Sequence, residues 1–277
     1  MTDIANIQNL APAADVVQNV ELENLYADNA TIGTSFEAIT NTNANQIIPP
    51  ILGEDIDIVS ASTADTIAGT GARQVKIWYL DANFNIGTQV VNLSGQTPVE
   101  LSEQNITYIL KAEIVATGTG LKSAGAITIA AVTAGAVFGV IDAGSDNMGN
   151  CAYMVPAGHA GYVHGFWADI EAVSAGAGTA EVAFQIAKFG VSGVANSEAW
   201  RTVARVSIVE NDSDVVSATG GNANSPGYFE FPGGPIKLPA KCQVRLAGKA
   251  RSGAVAAVAG FNIVIQGSDA GTVSTLN

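Results

Sequence analysis

Residues 65–95, DTIAGTGARQVKIWYLDANFNIGTQVVNLSG, have the pattern of a β-hairpin. Val75, Ile77 and Tyr79 alternate with Lys76, Trp78 and Leu80, which is the two-residue period of a strand in a sheet. Asp81-Ala82-Asn83 is a group of turn-forming residues, and residues 88–93 return to the alternating pattern. This stretch therefore predicts two antiparallel strands joined by a tight turn.

Short apolar runs separated by Gly, Asn, Asp and Pro continue almost to the C-terminus, with no convincing helix. We therefore predict an all-β fold, an antiparallel β-sandwich of jelly-roll type in two β units, residues 51–135 and 136–277. The candidate strands lie within residues 55–62, 72–80, 87–95, 99–116, 124–131, 151–173 (with a turn at 155–158), 181–190, 199–209, 227–240, 241–250 and 259–267. The longest candidate in the first unit is expected to break near residues 103–105.

Residues 1–50 differ from the rest, being rich in Asn, Ala and Thr with little periodicity. Residues 1–72 contain ten acidic residues and no Lys or Arg. We expect an extended, acidic N-terminal arm that makes an assembly contact. It either stays solvated or docks on a basic surface of another copy.

The composition favours a protein that contacts neighbours over much of its surface. Hydrophobic residues make up 48% and charged residues 13% of the chain, about half the charged fraction of an average soluble domain. The net charge of −13 disfavours nucleic acid as a partner. No apolar run is long enough to cross a bilayer, and MTDIANIQNL lacks the features of a signal peptide, so we expect synthesis in a cytoplasm.

The histidines do not predict a catalytic or metal site. His159 and His164 flank Tyr162 around a turn, with no third metal ligand nearby. A catalytic base would need a nucleophile, and none can be identified. We therefore expect two structural histidines, no enzymatic activity, and no catalytic, cofactor-binding or metal-ligating residues.

Two oxygen-rich segments and one glycine-rich segment have both a binding and a structural interpretation. Asp55 with Asp57, and residues 211–214, could bind calcium or could satisfy turn backbone; neither follows the spaced calcium-loop pattern. Gly69-Thr70-Gly71 resembles half of a phosphate loop but lacks the lysine and the helix, which favours a hairpin entry.

The segment 237–251 predicts a strand with one cationic and one apolar face. Lys241, Gln243 and Arg245 alternate with Cys242, Val244 and Leu246. The cationic face is either solvated or receives the acidic arm of a neighbour.

Cys151 and Cys242 are the only cysteines, and they are expected to remain thiols in a cytosol. If strand pairing brought their Cα atoms within about 7 Å, they could form a bridge after cell lysis.

Several motifs resemble virion structural proteins of tailed bacteriophages. Residues 69–72 (GTGA), 80–83 (LDAN) and 93–99 (LSGQTPV) are similar to a turn–strand–turn–strand pattern of that family. Residues 153–166 (YMVPAGHAGYVHGF) and 236–250 (IKLPAKCQVRLAGKA) also resemble it, so the likeness covers roughly residues 60–265. These motifs consist of turn and strand residues, and they carry over no functional site.

The resemblance implies an external or connecting part of a virion, made in the host cytoplasm. The favoured role is capsid decoration, with other copies of the chain (a trimer) and the major capsid protein or another virion protein as partners. A neck or tail accessory protein and a head-fibre protein are alternatives. A glycan-binding sandwich for host attachment is a further alternative; it would need exposed aromatic residues, and Trp78, Trp167 and Trp200 are the only tryptophans.

Overall fold

The computed structural model describes residues 20–40, 53–133, 135–173, 178–188, 200–210 and 227–267. These residues form an all-β fold in which every strand pair is antiparallel, which confirms the predicted fold class. In chain order the strands are β1 (Val20–Ile32), β2 (Glu37–Ala38), β3 (Ile56–Ser60), β4 (Ala72–Leu80), β5 (Ile86–Asn92), β6 (Val99–Glu100), β7 (Tyr108–Thr117), β8 (Ile127–Ala131), β9 (Val137–Ile141), β10 (Ala152–Met154), β11 (His159–Ala172), β12 (Gly178–Lys188), β13 (Arg201–Glu210), β14 (Gly227–Glu230), β15 (Ile236–Leu238), β16 (Cys242–Ser252) and β17 (Val255–Gly267). The described residues include no helix long and apolar enough to cross a membrane.

One of two bodies, here called the main sandwich, consists of the described residues within 20–40 and 151–267. One sheet has the order β1-β17-β11-β14, with β15 also on β11, and the other has β10-β16-β12-β13, with β2 also on β16. The first strand thus pairs with the last, β2 and β10 with β16, β11 with β14 and β15, and β12 with β13. These strand pairs are therefore nested within one another along the chain.

Strands β2 and β10 form one composite edge strand, although more than a hundred residues separate them. Ile39 N donates to Leu246 O at 3.0 Å, and Leu246 N donates to Cys151 O at 2.8 Å. Cys151 N in turn donates to Ile39 O at 3.2 Å, so the two pieces meet end to end. The chain leaves the main sandwich at Thr40 and returns at Asn150, where the two residues form an isolated bridge.

The intervening residues 53–150 build a second body, here called the inserted unit. It contains a four-stranded sheet, β6-β3-β8-β9, and a three-stranded sheet, β5-β4-β7. Its core is made mainly of isoleucines that are almost fully buried, among them Ile56, Ile58, Ile77, Ile127 and Ile129.

The predicted strands are largely confirmed, but two predicted boundaries differ from the structure. The boundary at residues 135/136 falls too early, because β9 pairs with β8 and buries Ile141 in the inserted unit. The main sandwich resumes only at Cys151. Gly135, with a φ of 61°, lies in the connection between the paired strands β8 and β9, so a turn residue at this point does not mark the end of a unit.

The prediction of a separate N-terminal arm over residues 1–50 differs more from the structure, because residues 20–40 are part of the main sandwich. β1 pairs along its length with β17, and Leu25, Ala27, Ile32 and Ile39 are buried in the core. Exposed Tyr26 and Asp28 alternate with Leu25, Ala27 and a buried Asn29, so the alternation of this strand is hidden in a polar composition. Residues 1–19 and 41–52 lie outside the described residues, and an assembly contact by the arm stays a prediction.

The two bodies share a core. Leu80, Phe84, Tyr108 and Leu110 belong to the inserted unit by sequence, yet they pack in the hydrophobic cluster of the main sandwich. Because these four side chains are nearly inaccessible to solvent, separating the bodies would expose large apolar surface.

Candidate functional site

Asp65 organises the loops beside the hairpin that the sequence singled out. Its carboxylate is fully buried and accepts hydrogen bonds from Ser60 Oγ (2.6 Å), Ala72 N (2.7 Å), Ala124 N (2.9 Å) and Gly125 N (3.0 Å). Burial raises the pKa of Asp65, but these four hydrogen bonds outweigh it and hold the pKa below its ordinary value. The role of this carboxylate is structural.

Gly69-Thr70-Gly71 lies at the same loop and forms a turn into β4. Gly69 N donates to Thr66 O at 2.8 Å and Gly71 N to Ala64 O at 3.1 Å. A side chain at Gly71 would collide with the Asp65 carboxylate, so the glycine is needed for close approach. The segment is a hairpin entry, as predicted.

Asp81 closes the other end of the hairpin. Its Oδ1 accepts from Asn83 N at 2.7 Å and from Asn85 N at 2.8 Å, which is the behaviour predicted for the Asp-Ala-Asn turn. The turn puts Phe84 at a φ of 68° and delivers its ring into the core of the main sandwich.

A charged cluster lies at the seam between the two bodies. Lys111 of β7 donates to both carboxylate oxygens of Glu23 of β1, at 2.9 and 3.0 Å. The Lys111 ammonium also lies 4.6 Å from the centroid of the Trp78 ring, and Lys76 lies 4.3 Å from the same centroid. This cluster ties the first strand of the main sandwich to two strands of the inserted unit.

A cavity of about 320 Å³ opens beside this cluster, lined by Leu22, Glu23, Asn24, Leu25, Tyr26, Leu110, Lys111, Ala112, Glu113, Asn147, Met148, Asn150 and Tyr153. Burial raises the pKa of Glu23 to about 7, although Lys111 pulls it down. The buried Asn150 Oδ1 has no hydrogen-bond partner in the described structure. Sequence reasoning did not identify this seam, because no local pattern relates Glu23 to Lys111.

His159 and His164 both lie on β11 and have different surroundings. A ring nitrogen of His159 lies 2.7 Å from Ala157 O, and His164 Nε2 is buried with no hydrogen bond among the described residues. Over the described ranges, no three His, Cys, Asp or Glu residues could hold one metal ion. A structural role for both histidines stays a prediction.

Of the two oxygen-rich segments, only Asp55 and Asp57 fall on described residues. Asp55 Oδ1 accepts from Asn105 N at 3.2 Å, as expected of a residue that satisfies turn backbone. Asp57 lies in β3 opposite Glu100 and Ala130, and burial raises its pKa. Residues 211–214 lie outside the described residues.

The predicted cationic face of residues 237–251 differs from the structure. Cys242, Val244 and Leu246 face the core as expected, but Gln243 and Ala247 on the other face are also buried. Arg245 stacks on Trp200 at 4.1 Å and donates to Gln185 Oε1 at 2.9 Å, and burial lowers its pKa to about 10. With Gln243 and Ala247 buried and Arg245 packed on Trp200, this face is not an open basic stripe.

Cys151 and Cys242 are both buried and no disulfide joins them in the structure; that they stay thiols in a cytosol remains a prediction. The suggested proximity is wrong. Cys151 is hydrogen-bonded opposite Leu246 of β16, and Cys242 lies four residues farther along that strand, a separation of about 13 Å. A disulfide requires Cα atoms within about 7 Å, so the register excludes a bridge.

The three tryptophans have different surroundings. Trp78 has two lysines over its ring and Trp200 has Arg245 over its ring. Trp167, on β11, lies between Gly260 of β17 and Tyr228 of β14, and Gly260 in turn lies opposite Tyr26 of β1. Tyr26, Trp167 and Tyr228 therefore form an aromatic row across the outer face of one sheet.

No protein-family model matches the chain, and no curated protein is similar to it. Among solved structures, the chain is similar to the VP2 subviral particle of infectious bursal disease virus, with 10% identity, a TM-score of 0.18, and coverage of 95% of this chain and 78% of the other. It also matches the Gt strain of that virus and T=1 particles derived from it, each with 10% identity, a TM-score of 0.13 and 90% coverage of this chain, and with 78% and 77% coverage of the other chain. TM-scores this low carry no inference about the fold or the function of this chain.

Proposed function

We propose that the chain is a structural component of a bacteriophage virion, in the first place a capsid decoration protein that coats or stabilises the head. We also infer that the nested strand pairs of the main sandwich are those of a jelly roll, interrupted in its second strand by the inserted unit. A fold does not determine a function, so the proposal also draws on the resemblance of the turn motifs to tailed-phage virion proteins.

The observation that carries the proposal is the shared core of the two bodies. A decoration protein must transmit force between neighbours without deforming, and the packing of Leu80, Phe84 and Tyr108 into the main sandwich makes one block of both bodies. Many modest contacts repeated over a lattice then give tight attachment without a strong single site.

The residues behind the resemblance have structural contacts in this block. Gly71 makes room for the Asp65 carboxylate, Leu80 fills the shared core, and Gly158 has a φ of 68° in the turn before β11. These roles support a structural protein over an enzyme, and we propose no catalytic activity.

The partners we propose are other copies of the chain, as a trimer, together with the major capsid protein or another virion protein. Light scattering of the purified chain at micromolar concentration should show a trimer, or a monomer that assembles on capsids. A stable monomer with no affinity for any virion component would contradict this proposal.

The position on the particle is tested by stoichiometry. Quantitative mass spectrometry of purified virions should find this chain in a simple ratio to the major capsid protein. If the particle contains far fewer copies of this chain than of the major capsid protein, a neck, tail or head-fibre position is favoured. Absence of the chain from the particle would overturn the virion assignment.

A further inference from the structure

The aromatic row is open to solvent at both ends. The side chains of Tyr26 and Tyr228 are 52% and 54% exposed, which is unusual for large aromatic residues. Between them lie Gly260 and the half-buried Trp167. The row crosses four neighbouring strands, a span of about 14 Å at normal strand spacing.

Because Gly260 has no side chain, the surface of the aromatic row stays flat at this position. A β-carbon at this position would lie 2.7 Å from Nε1 and Cε2 of Trp167, so the missing side chain lets the indole extend over the backbone of β17. The same β-carbon would lie 2.6 Å from Leu25 O. A side chain there would therefore displace the indole and create a ridge across the row.

Polar side chains border the row on both sides. Asn24 and Asn262 are cross-strand partners on one side, and both are exposed. Asp28 is exposed on the other side, beside Val258, whose next partner across the sheet is the half-buried Asp169. Amide groups both donate and accept hydrogen bonds, and carboxylates accept them.

We propose that this face of the main sandwich binds a neutral oligosaccharide, whose sugar rings stack on Tyr26, Trp167 and Tyr228 and whose hydroxyls bond to the bordering amides and carboxylates. Pyranose rings have apolar faces and polar rims, which match an aromatic surface with polar edges. The bordering charges are acidic, so an anionic glycan or a phosphate would be repelled.

A protein partner fits the same face less well. Protein interfaces have an apolar centre with few charged residues. Here Val258 is an exposed aliphatic side chain beside the row, and asparagine and aspartate residues lie two positions along the strands from the row.

The test is binding of the purified full chain to an array of neutral and anionic glycans, followed by titration of the best neutral glycan. Tryptophan emission should change on binding, because Trp167 is in the row. Tyr26→Ala and Tyr228→Ala should each weaken binding about threefold to tenfold, since each removes one stacking contact. Tyr228→Phe keeps the ring and should retain most of the affinity.

The matched control is Leu121→Ala, which removes an apolar side chain that is 74% exposed in the inserted unit and should leave binding unchanged. Circular dichroism verifies that the variants fold. The proposal is overturned if no neutral glycan on the array binds, if only anionic glycans bind, or if the double variant Tyr26→Ala/Tyr228→Ala binds as well as the original chain. Concentration-dependent self-association that Tyr228→Ala abolishes, without glycan binding, would overturn it in favour of a contact between copies.

Discussion

At the scale of single residues, Asp65 is the clearest case of a side chain that the sequence places but does not explain. The hairpin around it was predictable from alternation and turn residues, and the structure confirms β4 over Ala72–Leu80. The four donors to its carboxylate come from Ser60, the start of β4 and residues 124–125. Two of them are almost sixty residues away, and only the folded chain shows that they converge.

Replacing Asp65 with Asn should destabilise the protein by about 3 kcal/mol, because an amide cannot accept all four hydrogen bonds and leaves a buried donor unpaired. Urea unfolding at neutral pH measures this loss. Asp146→Asn, at an exposed position in the same unit, is the control and should have little effect.

The pKa of Asp65 is depressed in the folded state, so its contribution is present above the unfolded pKa of about 3.9 and is lost as pH falls through the lower folded value. The Asp65→Asn variant should therefore lose less stability between pH 4 and pH 2 than the original chain. Equal acid sensitivity would show that this carboxylate does not contribute.

The two cysteines give a second prediction at this scale. Maleimide labelling of the denatured chain without reductant should find two thiols, because the strand register holds them apart. In the folded chain, Cys151 should react very slowly, since it is fully buried and burial raises its pKa. Fewer than two thiols after denaturation would contradict the register of β10 on β16.

At the scale of elements, β1 shows where sequence reasoning fails. Most strands were predictable because each has its own alternation and its own turns. The buried apolar residues of β1 are Leu25, Ala27 and Ile32, in a segment rich in Asn and acids, and its partner β17 lies more than two hundred residues away. The composite edge strand of β2 and β10 was unpredictable for a related reason: residues 151–154 lie in a predicted strand, but no local pattern relates them to β2, more than a hundred residues earlier.

The structure therefore predicts that a chain beginning at Gly33 will not fold. It would lack the partner of β17 and three buried side chains of the core. Leu25→Ala should cost about 3 kcal/mol, whereas Tyr26→Ala, on the outward side of the same strand, should cost much less. Urea unfolding compares the two variants, and a soluble, cooperatively folded truncation would show that β1 is dispensable.

The seam between the bodies should respond to pH through Glu23. Its pKa is raised to about 7, mainly by burial, so the folded state holds a proton that the unfolded state releases above about 4.5. The contribution of Glu23 to the free energy of unfolding is fully present below about pH 4.5 and is lost as the pH rises through about 7. The slope is at most about 1.4 kcal/mol per pH unit.

Glu23→Gln should remove this slope, so that its stability relative to the original chain improves between pH 5 and pH 8. Glu21, Lys111 and Tyr153 also lie beside Glu23, and Lys111→Met reports how much the Lys111 ammonium contributes to this slope. Guanidinium unfolding at several pH values makes the measurement. Parallel pH profiles for the original chain and Glu23→Gln would contradict the assignment.

At the scale of the whole molecule, the shared core predicts one unfolding transition for two bodies. Four side chains of the inserted unit pack in the core of the main sandwich: Leu80, Phe84, Tyr108 and Leu110. Unfolding of either body would therefore remove apolar contacts from the other. Far-ultraviolet circular dichroism and tryptophan emission should therefore change together with urea, and calorimetry should show a single peak. Two separated transitions would mean that the seam is weaker than its packing indicates.

The insertion also determines the order in which strands can pair while the chain is synthesised on the ribosome. During synthesis, β1 leaves the ribosome more than two hundred residues before β17, and it cannot pair with β17 until that strand has also emerged. At elongation rates of about 5 to 20 residues per second this delay is on the order of ten seconds or more. The inserted unit, whose strands are all made within that interval, can acquire its own isoleucine core first. Nascent β1 then waits beside an already folded body whose Lys111 can hold Glu23, which would keep an unpaired strand from meeting its copies on neighbouring ribosomes.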